Sequence, residues 1–281
     1  MTRDEKVNDN RLNRKNASEQ LATDPAAPAI NLIANSGTNN KTIVFASRQT
    51  FGRLYPLART IGSVLTMPAA DLVPEATRTA WLNDLTSHGP FWFIADEGST
   101  TEVREEGRNT DAWISDRACK VDSQWAGTAK VSRFVGTNNL PVQIHTGATF
   151  ANKIQLVSAR LSTATVGPGG TLCVEFEWQA INVPPGDYTV FVHLVNAQGQ
   201  LVAQSDLMPQ GGFAPTSHWK TGASIADRHG LILPDNLPSV DYTVRAGFYR
   251  SDDQSPVRVT QAGSVLADAS GIVLTQVQLA P

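Results

Sequence analysis

Hydrophobic and polar positions in the first half of the chain predict two clear helices. Residues 9–22 have the pattern of a polar amphipathic helix with a thin apolar face. Residues 74–87 predict a second helix, because a proline suits its first turn and a histidine, a glycine and a proline follow its end. The face of that second helix expected to be buried is formed by Ala76, Ala80, Trp81 and Leu85.

Short apolar runs between these helices predict buried strands. Residues 91–95 are apolar on both faces, as expected for a central strand covered on each side. The other expected elements are a strand at 42–46, a loop at 96–107, a short helix at 111–117, and strands at 119–121 and 130–135. This alternation of helices and strands predicts a small three-layer α/β domain of the Rossmann-like kind over residues 1–136.

The pattern changes near residues 136–139, and residues 137–153 are interpreted as a linker. Beyond it, strands recur between turns rich in proline and glycine, which predicts an antiparallel β-sandwich of the immunoglobulin or jelly-roll kind over residues 154–281. Residues 171–180 alternate strictly. One face, expected in the core, carries Leu172, Val174, Phe176, Trp178 and Ala180; the other, expected in solvent, carries Thr171, Cys173, Glu175, Glu177 and Gln179.

A four-residue echo suggests symmetry within this second domain. Asp187-Tyr-Thr-Val190 recurs as Asp241-Tyr-Thr-Val244, each time after a turn that contains proline. We interpret the two copies as equivalent edges of one sandwich. The whole chain is therefore predicted to be an α+β protein of two domains.

Composition and charge exclude several classes of protein. The 281 residues include 41% hydrophobic and 17% charged residues, which is typical of a folded chain. Lysine and arginine total 23 against 26 acidic residues, without a long block of either sign, which argues against binding nucleic acid or an anionic membrane. No apolar run approaches the ~18–20 residues of a membrane-spanning helix. Residues 1–6 lack the apolar core of a signal peptide.

The two cysteines, Cys119 and Cys173, are far apart in the sequence and fall in different predicted domains. They are interpreted as small apolar residues. The alternative is a disulfide between domains, which would require an oxidising compartment.

Catalytic motifs are not found. The sequence contains no nucleophile elbow, phosphate-binding loop, dinucleotide fingerprint or zinc-protease motif. Glu175 and Glu177 lie on one face of a strand, ~6.5 Å apart along the backbone, but nothing holds one of them protonated as a glycosidase requires. They are predicted to be a solvated pair. His193 shares a face with Phe191 and is interpreted as a hydrogen-bonded histidine of a sheet.

A candidate glycan site is formed by Phe213 and Trp219 with the neighbouring Asp206 and Asp227. An exposed indole can stack on the apolar face of a pyranose. The alternative is a buried Trp219 that fixes a long loop to the sandwich. No cofactor is expected; aspartates near strand ends, Asp206, Asp227, Asp252 and Asp253, are interpreted as turn caps, with structural calcium as the alternative.

Residues spread over most of the chain carry a resemblance to a known family. In the second half these are Gly169–Leu172, Trp178, Asp187–Leu194, Gly199, Ala203–Asp206, Pro209, Gly211, Pro215–Trp219, Gly222, Asp227, Leu233-Pro234, Tyr242 and Gly247–Tyr249. In order and spacing, residues 154–279 resemble a C-terminal module of bacterial membrane glycosyltransferases of the protein-mannosyltransferase-like class. The first half resembles the region that precedes this module, through Asp9–Arg11, Thr42–Phe45, Leu65–Pro68, Phe91–Ile94 and Val121–Phe134 with Trp125. A departure is Ser239-Val240, where the family has a glycine before the acidic-Tyr pair.

The resemblance implies an accessory role rather than catalysis. In that class, acidic residues between N-terminal membrane helices transfer a sugar from a polyprenyl-phosphate donor, and no such helix is present in this sequence. We therefore expect a non-catalytic, extracytoplasmic region that positions an acceptor glycan or a partner protein beside the membrane catalytic domain. The alternatives are a stand-alone carbohydrate-binding or adhesion module, and a hydrolase with its site at the domain junction.

Overall fold

The computed structural model describes residues 23–37, 41–137 and 139–279, so the helix predicted at 9–22 lies outside the described residues. Within these ranges the fold is a β-rich α+β fold. The chain divides into two compact units. Among the described residues, the first comprises those up to Arg78, Phe91–Asp111 and Gln124–Ser132; the second comprises Thr79–Pro90, Ala112–Ser123 and those from Arg133 onwards. No helix in the described ranges combines the length and the apolar character needed to cross a membrane.

The first unit is built on parallel strands in the order β3-β1-β2, with β5 beside β3. All six residues of β3 are buried, as its two-sided apolar sequence predicts. A side-chain cap begins α2, where the Ser47 hydroxyl accepts a hydrogen bond from the Thr50 amide at 3.2 Å. The elements are α1 (Pro28–Ala34), β1 (Lys41–Phe45), α2 (Arg48–Ala58), β2 (Gly62–Thr66), β3 (Phe91–Asp96), α4 (Thr101–Ser115) and β5 (Ala129–Val135), the last two also contributing residues to the second unit.

Two predictions for the helical part of the chain were wrong in part: the buried face of the helix at 74–87 and the loop at 96–107. α3 (Glu75–Ser87) is present, but Ala76 and Ala80 are exposed, and its buried side chains are Arg78, Leu82, Leu85 and Thr86. The loop predicted at 96–107 was wrong, because α4 begins at Thr101. Its buried positions include Val103, Gly107, Thr110 and Asp111. They follow helical spacing but are mostly small or polar, so they give no apolar period.

The second unit contains two sheets that enclose one hydrophobic core, as in a β-sandwich. The first sheet has the order β15-β6-β7-β9-β12-β4 and the second has the order β11-β10-β13-β16-β8, with β14 beside β13. At the centre of the core, the Trp178 ring lies 4.6 Å from the Phe248 ring and 6.1 Å from the Phe150 ring, between centroids. The strands are β4 (Cys119–Ala126), β6 (Val142–Phe150), β7 (Ile154–Leu161), β8 (Thr165–Val166), β9 (Thr171–Ala180), β10 (Tyr188–Val195), β11 (Leu201–Leu207), β12 (Ser224–Ile232), β13 (Asp241–Arg250), β14 (Pro256–Val257), β15 (Val259–Gln261) and β16 (Ile272–Leu279).

Three expectations for this half are modified. The predicted linker at 137–153 contains β6, so this segment supplies a strand of the first sheet. The predicted domain boundaries at 136 and 154 stay a prediction. The two Asp-Tyr-Thr-Val strands are not edges, since β10 and β13 pair with each other in the middle of the second sheet. The face of β9 predicted to be in solvent is half covered, because Cys173 and Glu175 are buried.

The two cysteines form a disulfide, with 5.7 Å between their Cα atoms. The disulfide that was the alternative prediction is therefore present. Both cysteines belong to the second unit, so the bond lies within one unit and does not join two. Cys119 lies on β4 and Cys173 on β9, and both are buried. The interpretation as unpaired apolar residues was therefore wrong.

Candidate functional site

A concave region on the outer face of the second sheet is a candidate functional site. We call it the outer-face hollow; its volume is about 330 Å³. Strands β10, β11 and β13 and the turns beside them supply its lining. The residues that line it are Phe191, His193, Val195, Gly199, Leu201, Arg245, Phe248, Tyr249, Gln254, Pro256 and Ser270.

Strand alternation directs the side chains of β10 into this hollow. Val190 and Val192 point into the core and are fully buried, whereas Phe191 and His193 point to the other face and are half-buried. In the antiparallel pair with β13, His193 lies opposite Arg245. Residues opposite each other share a face of the sheet, so an imidazole and a guanidinium enter the hollow side by side.

Two glycines form the floor beneath the Phe191 ring. A Cβ atom on Gly247 would lie 2.6 Å from the ring, and one on Gly271 would lie 2.7 Å from it. Any larger residue at either position would therefore displace the ring. The ring is also 4.6 Å from the His193 ring, between centroids. Phe191 is thus packed against the backbone of the sheet and held beside a second flat side chain, while it still lines the hollow.

Hydrogen bonds fix the polar groups around the ring. His193 Nε2 lies 3.0 Å from Asp206 Oδ1, as expected for a hydrogen-bonded histidine of a sheet, and Gln204 Nε2 donates to Asp206 Oδ2 at 3.2 Å. Burial raises the pKa of the Tyr249 phenol, and the negative charge of Asp206 raises it further, against a hydrogen bond with Thr189. The phenol is therefore held in its neutral form, in which it can donate a hydrogen bond.

The Arg245 guanidinium, which enters the hollow beside His193, is anchored by an ion pair with Asp268. Burial acts to raise the pKa of the Asp268 carboxyl, but hydrogen bonds from the Ser270 hydroxyl and amide and from Arg245 outweigh it and lower that pKa to about 2. Asp268 is therefore ionised at neutral pH. A fixed guanidinium, a neutral phenol, an imidazole and an aromatic face together suit a ligand with both apolar C–H groups and hydroxyls.

The four residues predicted to bind a glycan do not line one surface. Asp206 lies beside the hollow, because its carboxylate is hydrogen-bonded to His193, which lines it. Trp219 is only 5% exposed and donates from Nε1 to the Ala214 carbonyl at 2.9 Å, which is the loop-fixing arrangement named as the alternative. Phe213 is 38% exposed and lies over the Lys120 ammonium at 5.3 Å from the ring centroid.

The fourth predicted residue, Asp227, belongs to a buried polar cluster between the two sheets. Its Oδ2 atom accepts from Trp178 Nε1 at 3.2 Å and lies 2.9 Å from His229 Nε2, while its Oδ1 atom accepts from the Gln210 amide at 2.7 Å. His229 Nδ1 lies 3.2 Å from the Ser205 hydroxyl. The order Ser-His-Asp is that of a hydrolytic triad, but all three side chains are buried. In this position the cluster ties the two sheets together.

The remaining charged candidates are also satisfied locally. The Asp252 carboxylate pairs with Arg250, and Asp253 accepts from the Ser255 amide and hydroxyl, as turn aspartates do. Within the described ranges, no three His, Cys, Asp or Glu side chains converge as a metal site would require. Calcium stays a prediction.

One signal for the hollow was present in the sequence. His193 interrupts an otherwise apolar run over residues 190–195, and Gly247 interrupts β13. A glycine inside a strand often marks a close approach of other atoms. What the sequence did not show is the register that sets these residues side by side.

Comparisons with known proteins give little further guidance. No family model and no curated protein matches this chain. Among solved structures, the C-terminal domain of Wzt is similar over 50% of this chain and 80% of that chain, at 8% identity and a TM-score of 0.33. A Niemann-Pick type C2 protein from the Japanese carpenter ant is similar over 50% of this chain and 98% of that one, at 7% identity and a TM-score of 0.28. A β-glucuronidase of glycoside hydrolase family 2 matches over 51% of this chain and 14% of its own, at 13% identity and a TM-score of 0.26. Similarity at these scores carries no argument about function.

Proposed function

We propose that the second unit is a non-catalytic glycan-binding module and that the outer-face hollow holds the sugar. The observation that carries the proposal is the seating of Phe191 on two glycines, with its ring in the hollow. A ring presented in this way offers the flat apolar surface against which a pyranose packs its C–H groups. Arg245 and Tyr249 then lie at the side of the ring, where hydroxyl groups of a stacked sugar would need partners.

The wider role that we propose is that of an accessory region to a membrane glycosyltransferase. The sequence resemblance to the protein-mannosyltransferase-like class supports it, and that resemblance also implies an extracytoplasmic position. The Cys119–Cys173 disulfide is consistent with this position, since disulfides persist in oxidising compartments. In this role the chain holds an acceptor glycan and leaves sugar transfer to another domain.

A glycan array probed with the full chain, followed by calorimetry on the best ligand, tests the binding proposal. Phe191→Ala is expected to weaken binding about tenfold or more, since stacking and burial of a ring contribute more than ~1.4 kcal/mol. Phe213→Ala is the matched control: it removes the same side chain from a second partly exposed site and is expected to leave affinity unchanged. Melting temperatures of both variants verify that they fold.

Three results would overturn the proposal. The first is wild-type protein that binds no glycan on the array. The second is Phe191→Ala protein that folds and binds as well as wild type. The third is a loss of affinity in Phe213→Ala and not in Phe191→Ala, which would support the site first predicted from the sequence. Sugar transfer from a polyprenyl-phosphate donor by this chain alone would contradict the accessory role.

A further inference from the structure

We infer that the outer face of the first sheet carries a second binding site, which takes the ammonium group of an amino sugar beside Glu177. The site is separate from the outer-face hollow and does not depend on it. It is a cleft of about 350 Å³ formed by strands β6, β7, β9 and β12. The side chains that matter for its chemistry are those of Gln143, Ser158, Arg160, Glu175, Glu177 and Ser224.

The two glutamates of this cleft differ in how their charges are compensated. Glu175 is buried and pairs with Arg160 on one neighbouring strand and, at 2.5 Å, with Arg228 on the other. Both arginines lie directly opposite Glu175 in the register of the sheet. Two guanidinium groups therefore hold this carboxylate, and it has no need of a ligand.

Glu177 lies two residues further along the same face and is exposed. Its carboxylate accepts hydrogen bonds from the Ser158 hydroxyl at 3.2 Å and the Ser224 hydroxyl at 3.4 Å, both neutral donors at long distance. In the part of the chain that the structure describes, no cationic side chain forms an ion pair with it. Its partner in the register on β12 is Ala226, whose short side chain leaves the space beside the carboxylate open.

The charges of the cluster balance in number, but its ion pairs do not include Glu177. Arg228 lies 3.8 Å from Asp116 Oδ1 and Arg117 lies 3.0 Å from Asp116 Oδ2, so three arginines face three carboxylates. These arginines pair with Glu175 or Asp116, which leaves Glu177 as the carboxylate of the cluster without an ion pair in the described part of the chain. A cationic group that reaches Glu177 therefore gains an ion pair there.

The oxygen atoms around Glu177 match the donors of an ammonium group. An ammonium has three N–H donors and no acceptor, so it requires several oxygens close together. The two carboxylate oxygens of Glu177 and the Ser158 and Ser224 hydroxyls that donate to them lie together in the cleft. Arg160 is 47% exposed at the other end, where its remaining N–H groups can donate to sugar hydroxyls. This combination favours an amino sugar over a simple amine.

The test uses the full chain and a glucosamine oligomer, with the N-acetylated oligomer of the same length as the neutral probe. Wild-type protein is expected to bind the amine form at least tenfold more tightly by calorimetry. Glu177→Gln is expected to remove that preference, and Asp252→Asn, which neutralises an exposed carboxylate in a turn, serves as the matched control and is expected to keep it. Phe191→Ala is also expected to keep it, so failure of the hollow and failure of this cleft can be distinguished.

Amide chemical shifts of the wild-type protein provide a readout that does not depend on any variant. On addition of the glucosamine oligomer, the largest changes are expected at Ser158, Glu177 and Ser224. Changes confined to other residues, equal affinity for the two oligomers, or an unchanged preference in folded Glu177→Gln protein would each overturn the inference. Equal binding of a lysine-rich peptide would overturn the assignment to a saccharide.

Discussion

Breaking the Cys119–Cys173 disulfide is expected to lower the free energy of unfolding of the second unit by about 4 kcal/mol. The two cysteines are 54 residues apart, so the bond closes a long loop in the unfolded chain and removes much of its conformational entropy. The chain-entropy relation gives ~3 kcal/mol for a 15-residue loop and ~4.7 kcal/mol for 100 residues, and a 54-residue loop lies between them.

The assay is urea unfolding of three proteins: oxidised wild type, wild type reduced under native conditions, and Cys119→Ala/Cys173→Ala. Reduced wild type keeps the side-chain volumes of the oxidised protein, so its difference from the oxidised form isolates the effect of the bond. The double variant is expected to be ~1–2 kcal/mol less stable than the reduced protein, because truncation of two buried side chains adds small cavities. Reductant should have no effect on the double variant, which controls for other actions of the reagent.

Two results would refute this reasoning. If oxidised and reduced wild type differ by less than ~1 kcal/mol, the bond does not act through loop closure in the unfolded state. If both thiols are alkylated in native protein that has never met reductant, the pairing itself is wrong. A change in the urea dependence of the free energy, by contrast, is expected, since a chain without the cross-link exposes more surface when unfolded.

Two further predictions concern carboxylates in the second unit. Asp227→Ala is expected to destabilise the protein by ~3–5 kcal/mol in urea unfolding, because it leaves buried donors on Trp178 and His229 and a backbone amide without an acceptor. A cost below ~1 kcal/mol would contradict the proposal that the buried polar cluster ties the two sheets together. The pKa of the Asp268 carboxyl is lowered from its ordinary value of 3.8 to about 2. The contribution of this carboxylate to stability is therefore present above pH 3.8 and is lost as the pH falls through 2. Carboxyl NMR should show a titration midpoint at about 2 in wild type and a higher midpoint in Arg245→Gln.

Apolar spacing predicted those elements whose buried faces are made of large apolar residues. Strand β3 is buried at every position, and β9 alternates as expected on its core face. The end of α4 was predicted as a short helix at 111–117, but its first part, residues 101–110, was missed, because Gly107 occupies a buried position where a Cβ atom would lie 3.1 Å from Ala95. Close packing selects glycine at such a position, and glycine contributes nothing to a hydrophobic period.

The candidate site was harder to predict because it depends on register. Alternation shows that Phe191 and His193 share a face of β10, and this much was visible in the sequence. It does not show that Arg245 lies opposite His193, or that Gly247 and Gly271 lie beneath the Phe191 ring. These pairs join residues that are 52 to 80 positions apart, and pairing over such distances is set by the packing of the complete sheets.

Alternation shows which side chains of a strand point outward, but it does not show which outward charges are compensated by their neighbours. Glu175 and Glu177 were predicted to be alike, since both point away from the core. The structure separates them: Glu175 is held by two arginines, whereas the partners of Glu177 among the described residues are two serine hydroxyls. In a β-sandwich the inward side chains form the core, so binding has to use outward ones. An outward charge already compensated by its neighbours contributes to the fold, and one that is not compensated remains available to a ligand. This is why the second site is proposed at Glu177 and not at Glu175.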